Sequence, residues 1–343
     1  MAVVRNGDMI GSDGPIKNTA LLTIHNNFLA GDWGTSNLRL FLCDAAGTAL
    51  DSSAGPGAAE SSGRFDAVFS GLTARWRERH GPLPAVLCGM VGSNFGWRQA
   101  PYVSCPASPD QIGAGCVSPD DAASRDAAIR IVPGLRCQNR FGAPDFMRGE
   151  ETQILGALQL DPALRSGRQL LCLPGTHSKW AVLEDGVVMA FNTAPTGELF
   201  AILKEHSVLV QRPATDDAAA NDAAFERGLQ QVNAFPQAQL LHRLFECRAR
   251  MLSGELEAGA TAAFLSGLLI ASDVGGAWPL LAQPAAAAPV QLIGAPSLTA
   301  LYAKALASRQ RDARQLDGAS ASLAGLTRIF QHQQAGGSRR DTH

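Results

Sequence analysis

The sequence predicts an α/β protein built from two related halves, and three observations carry that expectation. Short apolar runs that read as strands alternate with longer segments of helical periodicity. One strand–turn–strand unit occurs twice: GTSNLRLFLCDAAG from Gly34 and GTHSKWAVLEDG from Gly175 both follow an apolar strand, and both end in an acidic turn closed by Gly. The chain has 343 residues, 46% hydrophobic and 17% charged, which is enough for two cores and excludes disorder through low hydrophobicity.

The elements follow in order. Residues 1–27 hold a single short apolar run, Leu21 to Ile24, too brief for a signal peptide, and are expected as a loose extension. Residues 28–30 and 38–42 read as strands joined by a polar turn over Gly31, Asp32, Trp33, Gly34, Thr35, Ser36 and Asn37. PAVLC at 84–88 is a buried strand halted by Gly89, and Ile154, Leu155 and Leu158 mark a helix over about 150–160 stopped by Asp161-Pro162. QLLCL at 169–173 is another buried strand, followed by strands at 180–183 and 187–190 about the turn Glu184-Asp185-Gly186. Helices are expected over about 197–210, 260–271, 296–308 and 319–331. Segments 213–224 and 283–289 read as small-residue loops, and 336–343 as a fraying tail. The most apolar stretch, 260–272, reads as short and amphipathic rather than as a membrane span.

Charge and cysteine usage narrow the function. Lys plus Arg is 29 against 31 Asp plus Glu, a net of −2, so no global positive field gathers nucleic acid or anionic lipid. Seven scattered cysteines without a C-x-x-C pair favour a reduced compartment, the cytoplasm, over a disulfide framework or structural zinc. The chain has no Walker-type loop, dinucleotide fingerprint, H-E-x-x-H or G-x-S-x-G elbow.

Four features carry chemistry. Small-residue turns can aim backbone N–H groups at one point, so the turns at Gly31–Asn37 and Gly175–Lys179 could clamp one polyphosphate. Asp32 offers a hard oxygen ligand for Mg²⁺, and Thr176, Ser178 and Lys179 offer donors and a positive charge; taken singly, each turn would look the same as an ordinary hairpin. Glu150 and Glu151 open a helix, where either carboxylate could act as a base beside a hydroxyl, although acidic residues are common in any first turn. The loop from Gly89 to Ala107 mixes glycines with Ser93, Asn94, Trp97 and Tyr102, which suits a carbohydrate face or equally a packed loop with Trp97 in the core.

Seven blocks in order, GDWGTSNLRLFL, GMVGSNFGW with APYVSCPA, PDFMRGEETQILGAL, LPGTHSKW, NTAPTGELFAIL, LIGAPSLTALYAKAL and DGASASLAGL, resemble the 2-dehydro-3-deoxygalactonokinase family. This is a group of sugar-acid kinases in the actin, hexokinase and chaperone-ATPase superfamily. The resemblance implies two RNase-H-like domains around a cleft, at 28–149 and 150–335, with ATP between them. It implies phosphorylation of 2-dehydro-3-deoxy-D-galactonate to the 6-phosphate in galactonate catabolism, with a kinase for 2-dehydro-3-deoxygluconate or a non-catalytic sugar sensor as alternatives.

Residue by residue, the resemblance sets Gly31, Gly34, Thr35 and Ser36 in the first phosphate motif, with Asp32 on magnesium. It sets Gly175, Thr176, His177, Ser178 and Lys179 in the second, and Gly294, Ala295 and Ser297 at the adenosine. Glu151 is the preferred base, with Glu150 as the alternative. Ser93, Asn94, Trp97, Tyr102, Glu150 and Glu198 would face the sugar acid. Asn94 and Phe95 stand where the family pattern has a basic residue and Gln. The implied partners are ATP, Mg²⁺ and the sugar acid, without nucleic acid or membrane, and a homodimer is compatible with the pattern.

Overall fold

A computed structural model describes residues 27–120, 128–211, 218–281 and 288–337. The expected extension over 1–27 and tail over 336–343 therefore lie almost wholly outside the described residues. The chain opens with β1 (Phe28–Trp33), β2 (Asn37–Cys43) and β3 (Ala49–Pro56), an antiparallel meander, followed by α1 (Phe65–His80) and β4 (Ala85–Gly89). Next come β5 (Tyr102–Ser104), α2 (Pro109–Ala114), β6 (Ile129–Ile131), β7 (Gly134–Gln138) and β8 (Pro144–Met147). The second half runs α3 (Glu150–Leu160), β9 (Arg168–Leu173), β10 (Ser178–Glu184), β11 (Val187–Ala194), α4 (Thr196–His206) and α5 (Ala218–Ala234). It continues with the short α6 (Leu240–Arg243) and α7 (Glu246–Leu252), α8 (Thr261–Leu281), β12 (Val290–Gly294), α9 (Pro296–Ala307), β13 (Ala313–Asp317) and α10 (Gly318–Gly337).

The duplicated hairpin extends to duplicated sheets. One five-stranded sheet has the order β3-β2-β1-β4-β6 and the other β11-β10-β9-β12-β13. In each, the first strand pairs antiparallel with the second and parallel with the fourth. β5, β7 and β8 form a small third sheet. The turn at Asp185-Gly186 has positive φ at both residues, the geometry that keeps a two-residue hairpin in step with strand twist.

Two sequence expectations need correction. The most apolar stretch is a helix of 21 residues, not a short one; Ala258–Ala277 is long and apolar enough to cross a membrane, yet its inner face packs into the core of the second sheet with α5 and α9. Part of the small-residue segment read as loop, from Ala218 onward, is the start of α5, because its alanines favour helix and Phe225 and Leu229 supply a buried face.

Strand alternation decides what the sheets present. On β1, Leu29 and Trp33 face α1, whereas Phe28, Ala30 and Asp32 fall on the other face, which α10 covers; Phe28 stacks on Phe330 with ring centroids 4.1 Å apart. α10 in turn crosses α3 at a separation only glycine allows. A β-carbon on Gly156 would lie 1.8 Å from the Ala321 carbonyl oxygen, and one on Gly325 would lie 2.0 Å from that of Thr152.

Gly156→Ala should therefore lower stability by about 1–3 kcal/mol or more through overpacking. Gly71→Ala is the control, since nothing lies within 4 Å of its added carbon on the exposed face of α1, and it should be neutral or stabilising. Urea midpoints measure both; equal midpoints for the two variants would show that the helices part freely.

Candidate active site

A cavity of about 440 Å³ lies where the two halves meet. It is lined by Asp32, Gly34 and Thr35 from the first hairpin, by Arg148, Gly149, Glu150 and Gln153 around the start of α3, and by Gly175, Thr176, His177 and Lys179 from the second. Tyr102, Phe146 and Met147 add a wall from the small sheet. The two repeated turns therefore converge, with the acidic helix start between them.

Asp32 does not lie in the polar turn expected from the sequence. It is the fifth residue of β1, its side chain is 17% exposed, and Oδ2 accepts from the cross-strand Arg39 at 2.7 Å and from Ser322 of α10 at 3.4 Å. Oδ1 faces the weak donor Cys88 Sγ at 3.9 Å. The turn itself is confined to Gly34, Thr35 and Ser36, and its first N–H closes on Asn37 O at 2.9 Å. Gly31 does not reach the cavity; the space its side chain would take holds Leu40 and Leu87. Ser36 is exposed outside it.

The second hairpin splits by the same alternation. Lys179, 5% exposed, points to the cavity, where Nζ lies 3.7 Å from Glu150 Oε1. Ser178 points the opposite way, fully buried, and is no candidate for phosphate: its Oγ donates to Asp273 Oδ2 at 2.5 Å. Asp273 also accepts from Trp180 Nε1 at 2.9 Å, Thr196 Oγ1 at 2.8 Å and Tyr302 OH at 2.5 Å. One buried carboxylate thus ties α8, β10, α4 and α9 together behind the second turn. Sequence reasoning missed Asp273; a lone acid inside a long apolar helix was the available signal. On the turn, the Glu198 N–H donates to Thr176 O, and the Glu198 carboxylate, which does not itself line the cavity, meets His177 Nε2 at 2.8 Å.

The acidic pair separates: Glu150 lines the cavity and Glu151, the base that the resemblance prefers, does not. Adjacent helical residues point about 100° apart. Glu151 has no exposed surface and turns inward, accepting from the Gly149 N–H at 2.7 Å and Thr152 Oγ1 at 2.9 Å. Burial, and then the Glu150 charge, push its carboxyl up to about 8. Glu150 lines the cavity, accepts from the Arg148 N–H at 3.0 Å, and is pushed up by burial against the opposing pull of Lys179.

The expected sugar loop contributes less. Trp97 is half-buried and packs against Phe69 at 5.6 Å and Trp33 at 6.4 Å, which agrees with the core reading; Ser93 is buried and Asn94 exposed, and neither lines this cavity. Tyr102 does line it. Gly294, Ala295 and Ser297 sit at the C-terminal end of β12 and the start of α9, also outside its lining. Among the described residues no three His, Cys, Asp or Glu groups converge as a metal cage.

Residues 32–329 match the family model described as 2-keto-3-deoxy-galactonokinase. The chain belongs to this family. The chain is 38% identical over 311 residues to a Rhizobium meliloti (strain 1021) protein named as a 2-dehydro-3-deoxygalactonokinase, covering 89% of this chain and 97% of that one. It is 36% identical over 305 residues to the 2-dehydro-3-deoxygalactonokinase of Escherichia coli (strain K12), covering 88% and 97%. A solved Sinorhizobium meliloti structure assigned to the same kinases matches with TM-score 0.79 and 34% identity, over 89% of this chain and 98% of that one. The activator of 2-hydroxyisocaproyl-CoA dehydratase from Clostridium difficile, solved with bound ADPNP, shares the fold at TM-score 0.51 and 10% identity, over 92% and 98%. The fold is thus the α/β actin-like ATPase architecture of two RNase-H-like sheets.

Glu151 makes stability depend on pH in a definite direction. Its proton is held more tightly in the folded than in the unfolded chain, so its contribution is complete below about 4.5 and is lost as pH rises to about 8. Glu151→Gln, which copies the protonated form, should flatten the fall in melting temperature between pH 5 and 8.5. A variant whose pH profile parallels the parent would show that Glu151 ionises freely in the fold.

Proposed function

We propose that the chain catalyses ATP-dependent phosphorylation of 2-dehydro-3-deoxy-D-galactonate at its terminal hydroxyl, giving the 6-phosphate and ADP. The observation that carries this reading is the convergence of two repeated hairpin turns, Lys179 and the Glu150 carboxylate on one cavity, in a chain of this kinase family. The reading assigns the half over 28–149 to the sugar and the half over 150–335 to the nucleotide, with Gly294, Ala295 and Ser297 near the adenosine. The free thiols of all seven cysteines suit the cytoplasm.

In this mechanism the acceptor hydroxyl attacks the γ-phosphorus, the bond to the β–γ bridging oxygen breaks, ADP leaves, and the hydroxyl proton passes to Glu150. A carboxylate with raised proton affinity is better matched to that transfer than an ordinary one. Lys179 and the turns at Gly34–Thr35 and Gly175–His177 neutralise and orient phosphate oxygens. Mg²⁺ fits this site without a three-residue cage, because in phosphoryl transfer it takes one or two carboxylates together with phosphate oxygens and water. Asp32 is the residue that would hold it, and the ion would supply further charge neutralisation.

Glu150→Gln should lower kcat by about 10²- to 10⁴-fold with both KM values roughly kept, while Glu151→Gln should stay within a few-fold of the parent. ADP release coupled to a panel of sugar acids reads both. Turnover of no sugar acid by the parent would remove the kinase reading; a large loss at Glu151 with little at Glu150 would return the base to the buried position.

A further inference from the structure

The small sheet brings to the cavity a cation that neither phosphate turn accounts for. Arg148 directly follows β8, and its guanidinium lies over the Tyr102 ring, 4.4 Å from the centroid, with Tyr102 itself edge-on to Phe146 at 5.0 Å. Nη2 donates to Ala100 O at 2.8 Å. Nε and Nη1 are shut off from water and have no acceptor. Among the described residues no carboxylate forms an ion pair with this group. Glu150 takes only the main-chain N–H of Arg148 and reaches toward Lys179, while Glu151 is spent on Gly149 and Thr152. Space for the guanidinium exists because residue 92 is glycine: a β-carbon there would come within 2.7 Å of Nη1.

Guanidinium donors left without an acceptor are costly, and because Arg148 lines the cavity, a ligand there that draws the group toward it relieves that cost. The partner it favours is a carboxylate, whose two oxygens match guanidinium donors better than a hydroxyl does. The neighbouring Tyr102 and Phe146 rings offer apolar surface for the carbon chain bearing that carboxylate.

We propose that Arg148 binds the carboxylate of the acceptor sugar acid and makes the site select acids over neutral sugars of the same skeleton. This assignment rests on the sugar-acid kinase reading above. It also accounts for acid recognition by a chain with Asn94 and Phe95 in the loop after β4, where neither side chain is cationic.

The test compares the 2-keto-3-deoxy sugar acid with its neutral methyl ester for the parent, Arg148→Gln and Gly92→Ala. The parent should favour the acid in kcat/KM by roughly 10- to 100-fold, the range of a charge-assisted hydrogen bond. Arg148→Gln should raise the acid KM by a similar factor, leave the ester and ATP KM values in place, and abolish the preference. Gly92→Ala, whose added methyl displaces Nη1, should shift the acid KM in the same direction; with a native circular dichroism spectrum it decides the matter if Arg148→Gln does not fold. A variant that keeps the parent's preference overturns the assignment. So does an equal loss on acid and ester, which would make Arg148 a packing support for Tyr102, and so does a rise confined to the ATP KM. A parent that uses acid and ester equally overturns the Arg148 assignment and leaves the kinase standing. A parent that turns over no sugar acid ends both.

Discussion

The crossing of α3 and α10 is the constraint on which the rest of the site depends. Gly156 and Gly325 let the two backbones meet at a distance closed to any side chain, and the residues flanking that contact carry the chemistry. α3 begins with Glu150 at the cavity, and α10 carries Ser322, which reaches Asp32 on β1 and accepts from Gln153 Nε2 at 3.4 Å. Moving either helix outward by a methyl group would therefore shift both carboxylates relative to each other. Phosphoryl transfer rests on positioning more than on covalent chemistry, so the separation of these groups matters as much as their identity.

A second anchor lies in the second half, behind its turn. Asp273 gathers four donors from three other elements, and its burial, which on its own pushes the carboxyl up, is opposed by every one of those hydrogen bonds. Satisfied in this way, a buried acid fixes the elements around it. Ser178 is therefore a support for Lys179 rather than its companion at the ligand. Two turns similar in sequence are held differently: the first by an ion pair across a hairpin, the second by a carboxylate far away in the chain.

Much of this was legible in the sequence where the determinants are local. The paired hairpins announced the duplicated sheets because turn glycines and apolar strand runs are contiguous. The family blocks located the cavity-lining turns. The misreadings concern direction rather than place. Whether Glu150 or Glu151 meets the cavity depends on the rotation of α3, which Gly156 sets through a helix that begins at Gly318. Ser178 and Lys179 part by strand alternation, and the partner that claims Ser178 is 95 positions away. Asp32 was placed in a turn because the strand continues through Gly31 and Asp32, past the point where apolar periodicity ends. The strands of the small sheet, as short as the three residues of β5, carry too little pattern to be seen.

The stacking of Phe28 on Phe330 has a bearing on how the chain comes off the ribosome. One face of the first sheet, with Phe28, Ala30, Cys43, Val86 and Cys88, shares its core with Leu326, Ile329 and Phe330 of α10. Synthesis is vectorial, so that face is made well before its cover. The first half therefore waits for α10 with part of an apolar surface uncapped, and closure of a contact spanning almost the entire described chain follows well after its first partner is made. A ribosome that stops short of α10 releases more than an incomplete second half: it releases a first sheet missing part of its apolar cover, a substrate for chaperones and proteases.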